Sequence, residues 1–468
     1  AYFTDKIKCP VYATEFAKIL IKNRLKEFGK SDKINLITIN PTHEINLENF
    51  KIEFISTTHS IPQPCAIKIS TTYGDVLHTA DWKIDDIPTL GENFNKDKFE
   101  EIGNKGLLAL VGDSTNANIP GYSQSENEVK DELINIFARY NKRIVVTCFS
   151  SNIARMKNIV SAAQKNNRKI VLIGRSMKKN IEAAFNSNFI KNLDVFISEE
   201  EASFIPKENL LIICTGSQGE KRSALYRIAY NTHRHINLEK DDVVIFSSRD
   251  IPGNEKSINN LKNLLIRQKV EVLTSDDDLV HVSGHGYAEE IKQMYNWTRP
   301  YLSIPVHGEP MHLDAHKKIA QSCQVPITKV LENGSCLKIA PGEPKIELKV
   351  DTGKLIVEGK NLYDSESIFI RERRKFSFEG LVLISIIINE DYSINKDIIL
   401  TFKGLPEFDS KTILDEFKYI FMENFLNLSE DKKSSNSILQ ELIKSNVRQI
   451  IKKYSQKKPE VDVHIFRI

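Results

Sequence analysis

Between residues 34 and 115 apolar positions come in short runs separated by turns: KINLITI, FKIEFISTTH, CAIKIST, DVLHTAD and LLALVGD. Runs this short and rich in β-branched residues predict strands, and CAIKIST-TYG-DVLHTAD predicts a hairpin around its Gly-containing loop. From about 128 the pattern lengthens into alternating helix and strand. Helices are predicted at EVKDELINIFARY, NIARMKNIVSAAQ, SMKKNIEAAF, SALYRIA and KSINNLKNLLIRQ, with the strands RIVVTC, KIVLIG, LLIICTG, DDVVIFSS and VEVLTS among them. Continuous apolar strands divided by amphipathic helices predict a mostly parallel, doubly wound sheet. After a motif-dense stretch from 281 come the strand YLSIPVH and the helix MHLDAHKKIAQSC. Beyond 375, LVLISIIIN, DIILTF, two helices and VDVHIFRI predict a small α+β domain, with the basic run Arg371 to Lys375 bridging into it.

Composition narrows the class without naming a substrate. The 468 residues are 41% hydrophobic and 27% charged, enough apolar material for two or three packed bodies. A formal charge of +3 is too small to argue for nucleic acid, since local charge decides what a groove binds. The six cysteines are scattered without CxxC spacing, as in a protein of the reducing cytosol. No apolar run is long enough to span a membrane, and no signal segment opens the chain.

Several predicted strands finish on groups that can bind metal: His59 in TTHSIPQP, Asp81 in HTADWK, Asp113 in GDSTNA and His307 in PVHGEP. A hydrolytic metal needs such ligands on rigid elements, with a position left for water. Any one of these histidines alone reads more readily as a structural residue than as a ligand; their repetition at strand ends points to a site. HVSGHG, residues 281–286, can offer imidazole, hydroxyl and backbone N–H groups to a phosphate. The strand ends at Ser150, Gly174-Arg175-Ser176, Thr215 to Glu220 and Ser247-Ser248-Arg249 also suit an anion, although each can simply cap a helix. His233 and His235 are read as surface residues. His312 and His316, four apart on one helix, are read as helix-face residues behind His307.

THSIP, HTADWKID, GDSTNA, FSSNIARM, CTGSQGE, IPGNE, HVSGHG and PVHGEP resemble, in order and approximate spacing, the motifs of the bacterial ribonuclease J family of metallo-β-lactamase/β-CASP nucleases. The resemblance runs over essentially the whole chain. It implies an α/β architecture: a metallo-β-lactamase αββα sandwich over 1–127 and 287–372, an inserted doubly wound β-CASP domain over 128–286, and an α+β C-terminal domain over 376–468. It further implies a cytoplasmic, zinc-dependent ribonuclease with 5′-to-3′ exonuclease and endonuclease activity, acting through two Zn²⁺ ions. Its substrate would be RNA, preferably with a 5′ monophosphate. Family members form dimers or tetramers, and partners in an RNA-degradation complex are expected.

By the same resemblance, His59, Asp81 and His307 would be metal ligands, with Asp81 bridging the ions. Asp81, Asp113 and His285 would be catalytic. His281, Val282, Ser283, Gly284 and His285 would bind substrate phosphate, together with Ser150 and Ser217. The family's HxHxDH motif does not occur in these residues, so the sandwich is expected to be N-terminally truncated and the chain alone to bind zinc weakly. Two other readings compete. One keeps the fold but acts on DNA or a small ester, against which the inserted domain argues. The other is a non-catalytic RNA-binding or assembly subunit, supported by the missing motif and opposed by the retained acids and histidines.

Overall fold

The computed structural model describes residues 2–30, 33–394 and 398–468. They form two compact units, Phe3–Val350 and Asp351–Ile468. The first contains a seven-stranded sheet in the order Ile327–Thr328, Pro300–Val306, Leu107–Asp113, Gly74–His78, Cys65–Thr71, Lys51–Ser56, Glu44–Asn46. The last four strands form an antiparallel meander. At the other side the sheet turns parallel, with His78 opposite Val111 and Val306 opposite Asp113. Strands ending at His78, Asp113 and Val306 therefore lie side by side and stop at one edge of the sheet. The Leu107–Asp113 and Pro300–Val306 strands are adjacent in space, although the intervening chain builds a separate sheet. Helices Lys96–Lys105 and Ala288–Thr298 cover this sheet through Phe99, Ile102, Ile291 and Met294, packed with Leu77, Trp82 and Leu110.

The second sheet of this unit is wholly parallel, in the order Phe196–Ile197, Lys169–Ile173, Leu210–Cys214, Ile144–Thr147, Val243–Phe246, Glu271–Leu273. Alternate residues of its strands serve opposite cores. Ile144, Val146, Leu211 and Ile213 pack into one cluster, and Val145, Ile212, Val244 and Phe246 into the other. Successive side chains on a strand point to opposite faces, so strands covered by helices on both sides must be apolar throughout. That is why the sequence shows continuous runs here and alternation elsewhere.

In the second unit Leu381–Ile388 is the central strand, antiparallel to Ile399–Lys403 and parallel to Glu460–Arg467. Its strictly alternating burial faces one side onto helices Ser410–Leu426 and Asn436–Ser455, with Phe417, Phe421, Leu439 and Ile443 in the core. Asp397, the first residue of the expected DIILTF strand, lies outside the described residues, as does residue 1. The basic run Arg371 to Lys375 is part of the helix Ile368–Glu379. His233 corrects the surface reading: it is buried, with Nε2 3.5 Å from Glu199 and Nδ1 accepting the Ile236 N–H. Its ring closes the turn that ends the Ala224–Ala229 region.

Candidate metal centre

The parallel edge of the seven-stranded sheet delivers Asp81, Asp113 and His307 to one place, and the loop after the inserted sheet brings His285 to them. Asp81, Asp113, His285 and His307 each offer a ligand atom, and those atoms all lie within 4.8 Å of one another. Asp113, only 5% exposed, is the hub. Its Oδ2 takes the His285 Nδ1 at 2.6 Å, and its Oδ1 takes the His307 Nδ1 at 3.2 Å and the Thr115 hydroxyl at 2.7 Å. Burial by itself would raise the Asp113 carboxyl, but hydrogen bonds from His285 and His307 and their charge outweigh it and hold it well below the usual range. Conversely, the hydrogen bond to Asp113 raises the His307 imidazole, against the effect of burial.

Asp81 lies 3.2 Å from His307 Nδ1 and keeps 47% of its side chain exposed. Ala80 and His307 both take left-handed backbone, φ 51° and 58°. Non-glycine residues in that region are strained and concentrate at functional sites. Here the strain turns the chain sharply just past each strand end.

His59 joins from the loop after Lys51–Ser56. Its Nδ1 is 2.6 Å from the Gly284 carbonyl, which can only accept, so Nδ1 carries the proton. Its Nε2 is then a free lone pair, 3.9 Å from Asp81 Oδ2. A ring whose far nitrogen donates to a carbonyl is the usual arrangement of a metal-binding imidazole. A Cβ on Gly284 would come within 2.5 Å of the His59 ring, so only glycine allows this approach. Burial lowers the His59 imidazole further toward the neutral form that binds metal.

The remaining expected residues are less uniform. Ser283 is buried, accepting from Asn116 Nδ2 at 2.8 Å and from the His285 N–H at 3.1 Å. His281 and Val282 lie on the other side of the loop, against Arg155: His281 Nδ1 at 3.3 Å and the Val282 carbonyl at 3.5 Å. Ser150 offers its carbonyl to Asn180 at 2.6 Å, and Ser217 is only 2% exposed. Neither serine is in the metal-binding cluster. His316 stands behind the site but not on His307. It is fully buried, between the Ser114 hydroxyl at 2.8 Å and the Tyr295 hydroxyl at 2.7 Å, and burial lowers its pKa to about 4.

Two residues had no role assigned from sequence. Asn116 links the acid strand to the histidine loop by donating to Ser283 and to the His285 carbonyl, while Arg249 donates to its Oδ1 at 2.5 Å. Arg155 is fully buried, paired with Glu126 through two hydrogen bonds, and donates to the carbonyls of Ser247 and Val280. Both lie inside quoted motifs, GDSTNA and FSSNIARM. The signal for Arg155 was a charge set among Ile153, Met156 and Ile159 on a helix whose apolar face is buried.

Two carboxylates and several imidazoles converging from rigid strand ends form the mixed oxygen and nitrogen donor set of hydrolytic zinc sites. The residues present thus fit a divalent metal. Comparison with known proteins points the same way. Residues 141–265 match the model described as Ribonuclease J, beta-CASP domain. Residues 269–325 match the Zn-dependent metallo-hydrolase RNA specificity domain, and 368–468 the Ribonuclease J C-terminal domain. The chain is 37% identical to Ribonuclease J of Sinorhizobium meliloti over 99% of its own length and 82% of the relative's. Against Ribonuclease J2 of Bacillus subtilis it is 34% identical, over 83% and 70% of the two chains. Against Ribonuclease J of Synechocystis it is 32% identical, over 98% and 74%. A solved protein of unknown function from Enterococcus faecalis shares the fold, with a TM-score of 0.50 at 14% identity over 72% of this chain and 76% of that one.

Proposed function

Because the chain belongs to the ribonuclease J family, we propose that it hydrolyses RNA phosphodiesters with zinc, removing nucleotides from a 5′-monophosphorylated end and also cutting internally. The observation that carries this reading is the convergence of Asp81, Asp113, His285 and His307 within 4.8 Å, from parallel strand ends and the HVSGHG loop. In this reading the lactamase-like body is 1–127 with 287–372, the β-CASP insert 128–286 and the C-terminal domain 376–468. Cytoplasmic location and assembly as a dimer or tetramer, with degradation-complex partners, belong to the same proposal. Among the described residues no helix is long and apolar enough to cross a membrane.

His59, Asp81 and His307 would hold the metal. Zinc supplies an activated water and a positive charge against the phosphate oxygens when bound. The chain does the rest. Asp113 accepts from His285 Nδ1, which leaves Nε2 free, and in the protonated ring that Nε2–H would donate to a phosphate oxygen. Ser283 and Asn116 fix the loop carrying that ring, so His285 is oriented before substrate arrives.

Zinc content, with cleavage of a 5′-monophosphorylated RNA, tests the proposal. These 468 residues hold no HxHxDH motif, and His59, Asp81 and His307 are few ligands for two ions. We expect weak zinc retention and poor cleavage by this chain, and two zincs with full cleavage once an HxHxDH segment is supplied upstream. Two tightly held zincs in the present chain would sink the ligand assignment. RNA binding without cleavage in both forms would favour the binding-subunit reading.

A further inference from the structure

His78 stands exposed at the end of the Gly74–His78 strand, three residues before Asp81. Asp81, Asp113 and His307 all lie close enough to bear on its charge, so by position it reads as one more ligand. Its hydrogen bond says otherwise. The Ala80 N–H donates to His78 Nδ1 at 2.9 Å, and an N–H can only donate, so that nitrogen is bare. In the neutral ring the proton then sits on Nε2, which has no lone pair left for a metal. His59 is held in the opposite way, with the proton on Nδ1 and Nε2 bare. One ring can take up an ion, and the other is committed to its own turn.

That turn needs holding. Ala80 has φ 51°, a left-handed conformation that any side chain makes costly. On one side of it the Thr79 N–H bonds the Val111 carbonyl at 3.0 Å, and on the other the Trp82 carbonyl accepts the Gly286 N–H at 2.8 Å. Trp82 itself is buried in the core. Between these two anchors lie only Ala80 and Asp81. Both polar backbone groups of Ala80 are taken by the side chains of the residues before it. His78 receives its N–H, and the Thr79 hydroxyl donates to its carbonyl at 2.9 Å. The same hydroxyl accepts the Asp113 N–H at 3.1 Å. A single buried oxygen thus fixes the backbone of the Asp81 turn against the backbone of Asp113. The sheet ladder supplies none of these side-chain bonds, since the strand stops at His78.

We infer that His78 and Thr79 are positioning residues of the metal centre: their side chains clamp the Ala80 peptide and so set where the Asp81 carboxylate stands relative to Asp113. The inference rests on the reading of Asp81 as a metal ligand and adds two residues that bind no ion themselves. They act before metal arrives, because a ligand already held in place loses less freedom on binding. The clamp matters because residue 80 carries a side chain. Glycine takes the left-handed conformation without that steric cost and has less need of it.

The test measures zinc affinity, by competition with a chromogenic chelator, and hydrogen exchange of the Ala80 amide. Both are read on the 468-residue chain and on the form supplied with an HxHxDH segment. His78→Ala should weaken zinc binding about 10–100-fold, the usual loss when a partner of a metal ligand is removed. It should also speed Ala80 exchange about ten-fold, while the Thr79 amide, bonded to Val111, keeps its protection. His78→Asn should keep both values, because an Asn side-chain oxygen also accepts the N–H two residues on. The double variant His78→Ala/Ala80→Gly should recover about ten-fold in zinc affinity, the share owed to the left-handed conformation. Thr79→Val should lose affinity as His78→Ala does and Thr79→Ser should keep it, which covers the case where the valine variant folds poorly. Unchanged zinc affinity in a folded His78→Ala chain overturns the clamp, and so does a double variant that recovers nothing. An equal loss in His78→Asn, with the Ala80 amide still protected, also overturns it and makes the imidazole itself a ligand or substrate contact. If the unaltered chain takes up no zinc in either form, it is the ligand reading that fails, and the Ala80 exchange rates still decide whether the clamp exists.

Discussion

The two sheets of the first unit end in charged groups of opposite character. At the edge of the seven-stranded sheet, Asp81 and His307 remain 47% and 54% exposed, and their hydrogen bonds leave lone pairs free. At the edge of the parallel sheet, Arg155 is 0% exposed and hydrogen-bonded to Glu126, Ser247 and Val280. A charge with spare capacity and solvent access can take up a ligand. One that is buried and saturated can only hold something in place, and Arg155 holds the start of the HVSGHG loop. Both were strand-end motifs in the sequence, but the surroundings give them different work.

Removing a ligand should have the largest effect. Asp81→Asn or His307→Ala is expected to lower RNA cleavage by a form of the chain supplied with an HxHxDH segment more than 10²-fold, since outer partners of metal ligands alone account for about 10–100-fold. Unfolding midpoints should barely move, because both side chains are half exposed. A comparable fall in stability would break the contrast between the two edges.

Arg155→Met should reverse that pattern. It leaves Glu126 buried and unpaired, which costs about 3–5 kcal/mol, read as a lower urea midpoint. Pairing it with Glu126→Leu should restore much of the stability but not the cleavage, as the carbonyls of Ser247 and Val280 still lack their donor. Recovery of both would mean that the arginine acts on stability alone.

Behind the metal centre, His316 offers a pH test. Burial lowers its pKa from 6.5 to about 4, so between those values the unfolded chain binds the proton and the folded chain does not. Stability is full above the unfolded pKa and falls as pH drops from about 6.5 toward 4, by roughly 3 kcal/mol at the low end. Denaturant titrations of the wild type and His316→Gln should differ in that slope. Parallel pH curves would remove His316 as the cause.

Gly284→Ala should have a narrower effect: about 10–100-fold in cleavage through displacement of the His59 ring. Gly353→Ala, where a Cβ meets nothing within 4 Å, should change stability by less than about 1 kcal/mol. Kinetics on both variants in that same HxHxDH-supplied form separate close approach from a general intolerance of glycine replacement.

Much of the architecture could be read from the chain. Continuous apolar runs predicted the parallel sheet because both of its faces are covered, and the apolar run LVLISIIIN predicted the central strand of the second unit, although only its alternate residues are buried. The hairpins Ser335–Lys338 with Lys345–Lys349 and Leu355–Glu358 with Asn361–Asp364 went unread, since they are largely exposed and carry no apolar period. The two-residue strand Phe196–Ile197 is too short for any period. His233 was misread because a polar neighbourhood, NTHRHIN, hides a ring buried by its turn.

What the sequence determined by itself was local: which segments form strands, that His59, Asp81, Asp113 and His307 stand at or just past their ends, and the motif order of a nuclease family. What only the tertiary structure decided was who meets whom. That Asp113 receives both His285 and His307 follows from the register placing Val306 beside Asp113 and from Asn116 drawing in the 283–285 loop. That Arg155 became a strut follows from sheet order and helix placement. Periodicity reports how each residue relates to its own element. Convergence depends on contacts between residues far apart in the chain, which no local pattern carries.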